Sequence, residues 1–411
     1  MVCLAIRRQQ LYAMEALKSD DSRNAPNSSV RGERLRLIHV ITGLPVGGAQ
    51  TVLVNQVRHQ RQRGWDVAVC SLTEVGEIGE RLREDGVDVL GLGMNRSLPS
   101  PLSLWRLRQW LKAKRPDAVQ TWLYHGDLIG GLAARWAGVP RVFWNLRQTD
   151  LDPAGSRRST IMVSKLCAWL SRRVPDRIVC CAEAARSLHA GLGYDETRML
   201  VIGNGIDSGR IKPDDEGAAR VREELGLSPD VPLVGLVARF HPQKDHAGFL
   251  AAVAELQRRL PETHALMCGE DVVPQNATLA DWIARLPAPD RVHCLGIRRD
   301  LTAIYSALDV AVSSSSFGEG FSNVIIEAMA CATPCVVTDV GDSALIVGET
   351  GWTVPPRDSA ALADTVSLAL AMPAEARAAR GREARQRVLE SFRLDDVHAA
   401  YDALYLDSMA P

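Results

Sequence analysis

Residues 310–338 read VAVSSSSFGEGFSNVIIEAMACATPCVVT. Val310–Ser313 is a short β-branched run, serines and glycines interrupt it, an apolar helical pattern begins near Asn323, and Cys335–Thr338 is apolar again. Strand, helix and strand, with both strands mostly apolar, is the pattern of a βαβ unit in a parallel sheet covered on both faces. The same alternation extends over nearly the whole chain. Upstream, strands are predicted at 37–41, 67–72, 87–92, 118–121, 141–145, 177–181 and 199–202. The second set is predicted at 233–238, 265–268, 292–295, 310–313, 335–338 and 352–354. Two successive sets of about six strands predict an α/β protein of two doubly wound, Rossmann-like domains. The Gly/Asp/Pro-rich stretch Asn204–Pro213 marks the break, giving an N-terminal domain over 35–207 and a C-terminal domain over 208–390. The last helical pattern, about 376–409, is interrupted at Ser391-Phe392-Arg393.

The 411 residues are 46% hydrophobic and 24% charged, an ordinary globular composition. The net charge of −1 conceals a gradient: residues 1–200 hold 29 Lys+Arg against 19 Asp+Glu, and residues 201–411 hold 19 against 30. Nine scattered cysteines form no C-x-x-C pair, which reads as free thiols in a reducing compartment. The apolar patch before Arg7-Arg8 is too short for a signal sequence, and no run of 18 apolar residues follows. A cytoplasmic chain is expected, with residues 1–34 a polar leader outside the fold. With a pI of 6.8 and no recognition motif, nucleic-acid binding is not expected.

Three segments carry candidate chemistry. Between residues 301 and 350 there are six carboxylates and no Lys or Arg, so Glu319 and Glu327 need partners from elsewhere or a polar ligand. Gly320, Phe321 and Ser322 precede a helix starting near Asn323, whose N-terminal amides suit phosphate. Glu327, one turn into that helix, can accept two hydrogen bonds from a vicinal diol such as a ribose, or simply be exposed. In ARFHPQKDH (238–246) a strand delivers Arg239 to its carboxyl end and Lys244 follows, two cations suited to a diphosphate or a solvated surface pair. Gly47 and Gly48, between the first strand and a helix, either let backbone approach a phosphate or permit tight helix packing.

The pair Glu319 and Glu327 within GEGFSNVIIEAMACATP, together with ARFHPQKDH, VIGNGID and GLPVGGAQ, closely resembles glycosyltransferase family 4, in order and spacing, from about Arg36 to Pro356. The resemblance implies a GT-B fold: two Rossmann-like domains with an interdomain cleft and a C-terminal helix, residues 391–411, crossing back to the first domain. It implies retaining transfer from a nucleotide-sugar donor, UDP- or GDP-linked, to a hydroxyl of a glycan or lipid-linked acceptor in cell-surface polysaccharide synthesis. No cofactor is implied beyond that co-substrate. By the resemblance Arg239 and Lys244 neutralise the diphosphate, Glu319 lies against the sugar, and Glu327 binds the ribose. The backbone at Gly320, Phe321, Ser322 and Asn323 meets sugar and phosphate, while Gly47 and Gly48 close on the donor. Glu319, Arg239 and Lys244 are the catalytic candidates. No metal is expected, and Asp150-Leu151-Asp152 is discounted as a chance D-x-D. A nucleotide-sugar epimerase of the same fold and an inactive nucleotide-binding scaffold are the alternatives.

Two departures stand out. Relatives carry a His after the fifth strand where this chain has Arg147-Gln148-Thr149; Gln148 exchanges hydrogen bonds but takes no proton. His125, after the preceding strand, is a second candidate for an acceptor or sugar contact, or a structural residue. Ala332 stands where Gly is commoner, a change expected to matter only for packing. Finally, residues 102–115 and 157–173 interleave Trp, Leu, Ile and Met with Lys and Arg. Such helices either lie on an anionic membrane, at the inner membrane face, or pack an apolar side on the sheet with their charges solvated.

Overall fold

A computed structural model of the chain describes residues 34–45, 47–94, 101–149, 151 and 158–409. The leader therefore lies almost wholly outside the described residues. The described residues divide into two compact units, Asn204–Asp396 forming one, and those up to Gly203 together with those from Val397 onward forming the other.

In the N-terminal unit seven parallel strands form one sheet: β1 (Arg36–Ile41), β2 (Asp66–Ser71), β3 (Asp88–Gly91), β4 (Ala118–Trp122), β5 (Arg141–Leu146), β6 (Arg177–Cys180) and β7 (Met199–Val201). Their order is β3-β2-β1-β4-β5-β6-β7. The C-terminal unit has six: β8 (Leu233–Val237), β9 (His264–Cys268), β10 (Val292–Cys294), β11 (Val310–Ser313), β12 (Cys335–Thr338) and β13 (Trp352–Val354), in the order β10-β9-β8-β11-β12-β13. All thirteen predicted strands are present. β8, β11 and β12 are the plainest of them because they are buried along their full length, which writes each as a short run that is apolar but for a terminal Ser313 or Thr338.

The helices that matter below are α1 (Gly48–Gln62), α2 (Pro101–Lys114), α3 (Arg158–Leu170), α4 (His246–Arg259), α5 (Leu301–Ala307), α6 (Asn323–Ala330), α7 (Ala374–Ser391) and α8 (Leu394–Asp407). The break expected at 391–393 separates α7 from α8. There Phe392 turns to φ −134°, its carbonyl accepts from Ile206 N at 2.9 Å, and Leu394 N donates to Ile206 O at 3.0 Å. Beyond it α8 joins the N-terminal unit. Tyr401 and Tyr405 are fully buried; Asn145 Nδ2 donates to the Tyr401 hydroxyl at 2.9 Å, and the Tyr405 hydroxyl donates to Gln120 Oε1 at 2.8 Å. Asp402 takes His59 of α1 and Arg63, just beyond it, at 2.8 and 2.5 Å. Burial of those two rings stabilises the crossing by several kcal/mol, at roughly 2 kcal/mol or more per side chain.

The eight described cysteines are free, and seven of them are buried. Burial pushes the Cys331 and Cys335 thiols up to about 12, so they pack as small apolar groups.

Candidate functional site

Each sheet reverses its strand order once, between β1 and β4 and between β8 and β11. In open α/β sheets the loops leaving the carboxyl ends of those two strands splay to opposite faces and leave a crevice. The candidate residues fall on these loops: Arg239 and Lys244 follow β8, and residues 314–322 follow β11. Gly47 and Gly48 follow β1, and His125 follows β4.

In the C-terminal unit the two loops are sewn together. Ser316 N donates to Gln243 O at 2.8 Å, Gln243 Nε2 to Gly318 O at 2.8 Å, and Ser314 Oγ to Lys244 O at 2.7 Å. This brings Lys244 Nζ to 2.5 Å from Glu319 Oε2, across 75 residues of sequence, and Ser315 Oγ donates to the same oxygen at 2.8 Å. Only 15% and 10% of the Lys244 and Glu319 side chains are exposed. The partner that Glu319 lacked in its own segment is thus Lys244, which the resemblance had assigned to the diphosphate. An ammonium has three donors, so one hydrogen bond to Glu319 leaves others for a phosphate oxygen. Arg239 is exposed and has no ion-pair partner among the described residues. Between the two cations lies His241, pushed below its usual range by burial, then by Arg239 and Lys244; its Nδ1 accepts from Gln243 N at 3.2 Å.

The N-terminus of α6 is the second part of the site. Ser322 is 1% exposed and its hydroxyl has no hydrogen-bond partner among the described residues, at a helix start with no side-chain cap. A buried orphan hydroxyl beside free helix amides fits an anionic group. The first helical residue is steadied from outside: Asn204 Nδ2 donates to Asn323 Oδ1 at 2.7 Å. Glu327 is half-buried and has no ion-pair partner among the described residues; it accepts from the Tyr305 hydroxyl of α5, 3.0 Å from Oε2. Desolvation lifts its pKa to about 7, against which the Tyr305 hydrogen bond acts.

Glycines explain how tightly these loops approach. Gly341, at φ +62°, follows β12; a Cβ there would stand 1.9 Å from Glu319 O and 2.7 Å from Gly320 O. Asp342 N donates to Gly320 O at 3.1 Å. Ala332 sits at φ +60°. The expectation that its methyl matters only through packing is therefore corrected: the cost at Ala332 is conformational, since L residues with a Cβ resist left-handed backbone.

In the N-terminal unit Gly47 O accepts from Thr51 N at 3.0 Å to open α1, and a Cβ at Gly48 would meet nothing within 4 Å. Leu123, at φ +68°, throws the chain from β4 into a single helical turn carrying His125, followed by a π-helix over Gly126–Gly130. Left-handed backbone at a leucine is strained, and such strain concentrates at functional sites. His125 is half-buried and burial lowers its pKa. Behind it Asp127 is fully buried, takes the Thr121 hydroxyl at 2.5 Å, and is pushed far above the usual carboxylate range by desolvation. Gln148 and Thr149 follow β5, and Gln148 Oε1 and Thr149 Oγ1 are buried without hydrogen-bond partners among the described residues. Asp150 and Asp152 lie outside the described residues.

Two family models divide the chain: "Glycosyltransferase Family 4" matches residues 46–210 and "Glycosyl transferases group 1" matches residues 231–372. The chain belongs to glycosyltransferase family 4. This family 4 glycosyltransferase is 26% identical over 328 residues to the UDP-Gal:alpha-D-GlcNAc-diphosphoundecaprenol alpha-1,3-galactosyltransferase of Escherichia coli, covering 77% of this chain and 82% of that one. It is 36% identical over 205 residues to the D-inositol 3-phosphate glycosyltransferase of Nocardia farcinica, a match spanning 47% of this chain and 45% of the relative. Anabaena HepE, crystallised in complex with UDP, superposes with a TM-score of 0.80 at 21% identity, over 91% of this chain and 100% of HepE. The fold is GT-B.

Sequence reasoning missed Tyr305, Ser315, Asn204 and Gly341 as parts of this site. The serine run 313–316 at a strand end and the VIGNGID stretch that holds Asn204 were the readable signals; Tyr305 and Gly341 reach the site only through the strand order.

Proposed function

We propose that this enzyme is a retaining, metal-independent hexosyltransferase that moves a sugar from a UDP- or GDP-sugar to a hydroxyl of a glycan or lipid-linked acceptor in cell-surface polysaccharide synthesis. The observation that carries the reading is the convergence of Lys244 and Glu319 at the strand reversal of the C-terminal unit. Arg239 and the remaining donors of Lys244 neutralise the diphosphate, with the α6 amides and the Ser322 hydroxyl as further donors. The two cations take the place of a divalent metal. Glu319, held by Lys244 and Ser315, presents its other carboxylate oxygen to the sugar hydroxyls. Glu327 accepts from the ribose.

Retention follows when the acceptor oxygen attacks the anomeric carbon on the face from which the diphosphate leaves. The bond to the diphosphate oxygen breaks, and that oxygen receives the acceptor proton. No enzyme nucleophile is consumed, so the task of the protein is to hold charge in place as it develops on the leaving group. His125 and Gln148 of the N-terminal unit are offered as acceptor contacts. The name of the E. coli relative, a UDP-sugar enzyme with a lipid-diphosphate acceptor, supports the donor and acceptor classes.

A peripheral contact with an anionic membrane belongs to the same proposal. Alongside their buried faces, α2 exposes Leu102 and Trp105, and α3 exposes Met162, Leu166 and Trp169. Residues 101–200 hold 16 basic against 8 acidic residues. Basic helices with exposed aromatic rings suit an anionic interface. No described helix is long and apolar enough to cross a membrane.

The test is transfer from UDP- and GDP-hexoses, in EDTA, to a polyprenyl-diphosphate-linked sugar, with the product anomer read by NMR. An anomer matching the donor supports the proposal. An inverted product, or an epimerised donor without transfer, sinks it.

A further inference from the structure

Among the described residues Glu327 differs from Glu319 in having no cation, and the hydrogen bond to its Oε2 comes from a residue that no motif contains. Tyr305 is 2% exposed, and its backbone is tied down because Thr333 Oγ1, just beyond α6, donates to Tyr305 O at 2.7 Å. The phenol therefore reaches Glu327 Oε2 from a fixed origin, at 3.0 Å. The other titratable groups nearby are Cys331 on the segment leaving α6, Cys268 at the end of β9 beyond Tyr305, and, through Cys331, Arg385 of α7 and Asp214. Arg385 is engaged with the Ala330 carbonyl, and none of these groups forms an ion pair with Glu327 among the described residues. One carboxylate oxygen is thus spoken for, and the other has no partner within the described protein.

We propose that Tyr305 is a positioning residue for the donor nucleoside: its hydroxyl fixes Oε2 of Glu327 so that Oε1 and the remaining lone pairs face the ribose diol. The inference rests on reading Glu327 as the ribose carboxylate. Two effects follow from the one hydrogen bond. The carboxylate is held in a single orientation, so the diol meets an acceptor already in place. The hydrogen bond also favours the ionised form against desolvation, so more of the group is an ionised acceptor near neutral pH than burial alone would leave.

The experiment is calorimetric titration of the full chain with UDP, GDP and their 2′,3′-dideoxy counterparts between pH 5.5 and 9, for wild type, Tyr305→Phe and Glu327→Gln. Wild type should prefer the ribonucleotide by about tenfold or more at pH 8, and this preference should fade as pH falls through about 7. In Tyr305→Phe the fading should move upward by about one pH unit, leaving dideoxynucleotide affinity unchanged. A merely structural tyrosine would lower the melting temperature, or weaken all ligands alike, with the midpoint unmoved; that result overturns the proposal. A wild type that binds neither ribonucleotide, or shows no ribose preference, removes the reading of Glu327 and the proposal with it. If Glu327→Gln abolishes the preference while Tyr305→Phe leaves it intact, the reading of Glu327 survives and the role of Tyr305 does not.

Discussion

Lys244 and Glu319 are proposed to bind donor, and in the structure they satisfy each other; a double-mutant cycle separates the two roles. At 2.5 Å and an effective dielectric of about 20, opposite unit charges attract by roughly 7 kcal/mol before desolvation is subtracted. With 15% and 10% of the side chains exposed, much of that gain is offset by desolvation. Removing either partner alone leaves a mostly buried charge unpaired, which costs roughly 3–5 kcal/mol. In a unit of this size that is a fall in melting temperature of about 10 °C. Lys244→Met alone and Glu319→Gln alone should each show it. The double variant carries no orphan charge, and Ser315 can still donate to a Gln oxygen, so its melting temperature should return to within about 4 °C of wild type. Yet the double variant should show no thermal stabilisation by UDP- or GDP-sugars and no transfer. Calorimetric melts with and without donor read both outcomes. Single variants that melt like wild type would refute the buried-pair reasoning, and a double variant that still binds donor would refute the site assignment.

Three further outcomes follow from single positions. Desolvation raises Glu327 from 4.5 to about 7 in the folded chain, so between those values the folded state keeps a proton that the unfolded state has released, and stability falls as pH rises through that window. Glu327→Gln should therefore stabilise the ligand-free protein by about 3 kcal/mol at pH 8 and by nothing at pH 4, while weakening donor binding; equal melts at pH 8 contradict this. Ala332→Gly should relieve the strain at φ +60° and stabilise by about 1 kcal/mol without changing kcat; a lower melting temperature counts against it. Gly341→Ala places a methyl against the Glu319 carbonyl and should raise KM for donor at least about tenfold through displacement of the 318–321 loop, an effect absent if that loop does not bind donor.

What the sequence made legible follows from the physics of burial. Parallel strands buried on both faces are mostly apolar, so β8, β11 and β12 announce themselves; the helix break at Ser391–Arg393 shows as a lapse in periodicity. The Lys244–Glu319 pair does not, because nothing local links residues 75 positions apart; only the adjacency of β8 and β11 does. The same holds for Tyr305, whose ring looks in sequence like any core aromatic. Glu327 could be seen to need a partner, but the phenol that meets the need comes from a helix 22 residues upstream. Ala332 shows the opposite case: the unusual residue was visible, while the left-handed backbone that gives it meaning was not. The sequence leaves open whether α2 and α3 lie on a membrane or pack on the sheet; in α2 the structure turns Leu107 and Leu111 inward and leaves Leu102 and Trp105 exposed.

The central claim is that the C-terminal unit holds the diphosphate of a nucleotide sugar through Arg239 and Lys244. Thermal melts of the full chain with UDP, GDP, ADP and their hexoses test it most directly, since a ligand that binds only folded protein stabilises it by about 2.7 kcal/mol at a hundredfold excess over Kd. A rise in melting temperature with a UDP- or GDP-linked donor, lost in Arg239→Ala while that variant alone melts like wild type, is the predicted result. No rise with any of these nucleotides, or a rise undiminished in Arg239→Ala, would contradict it.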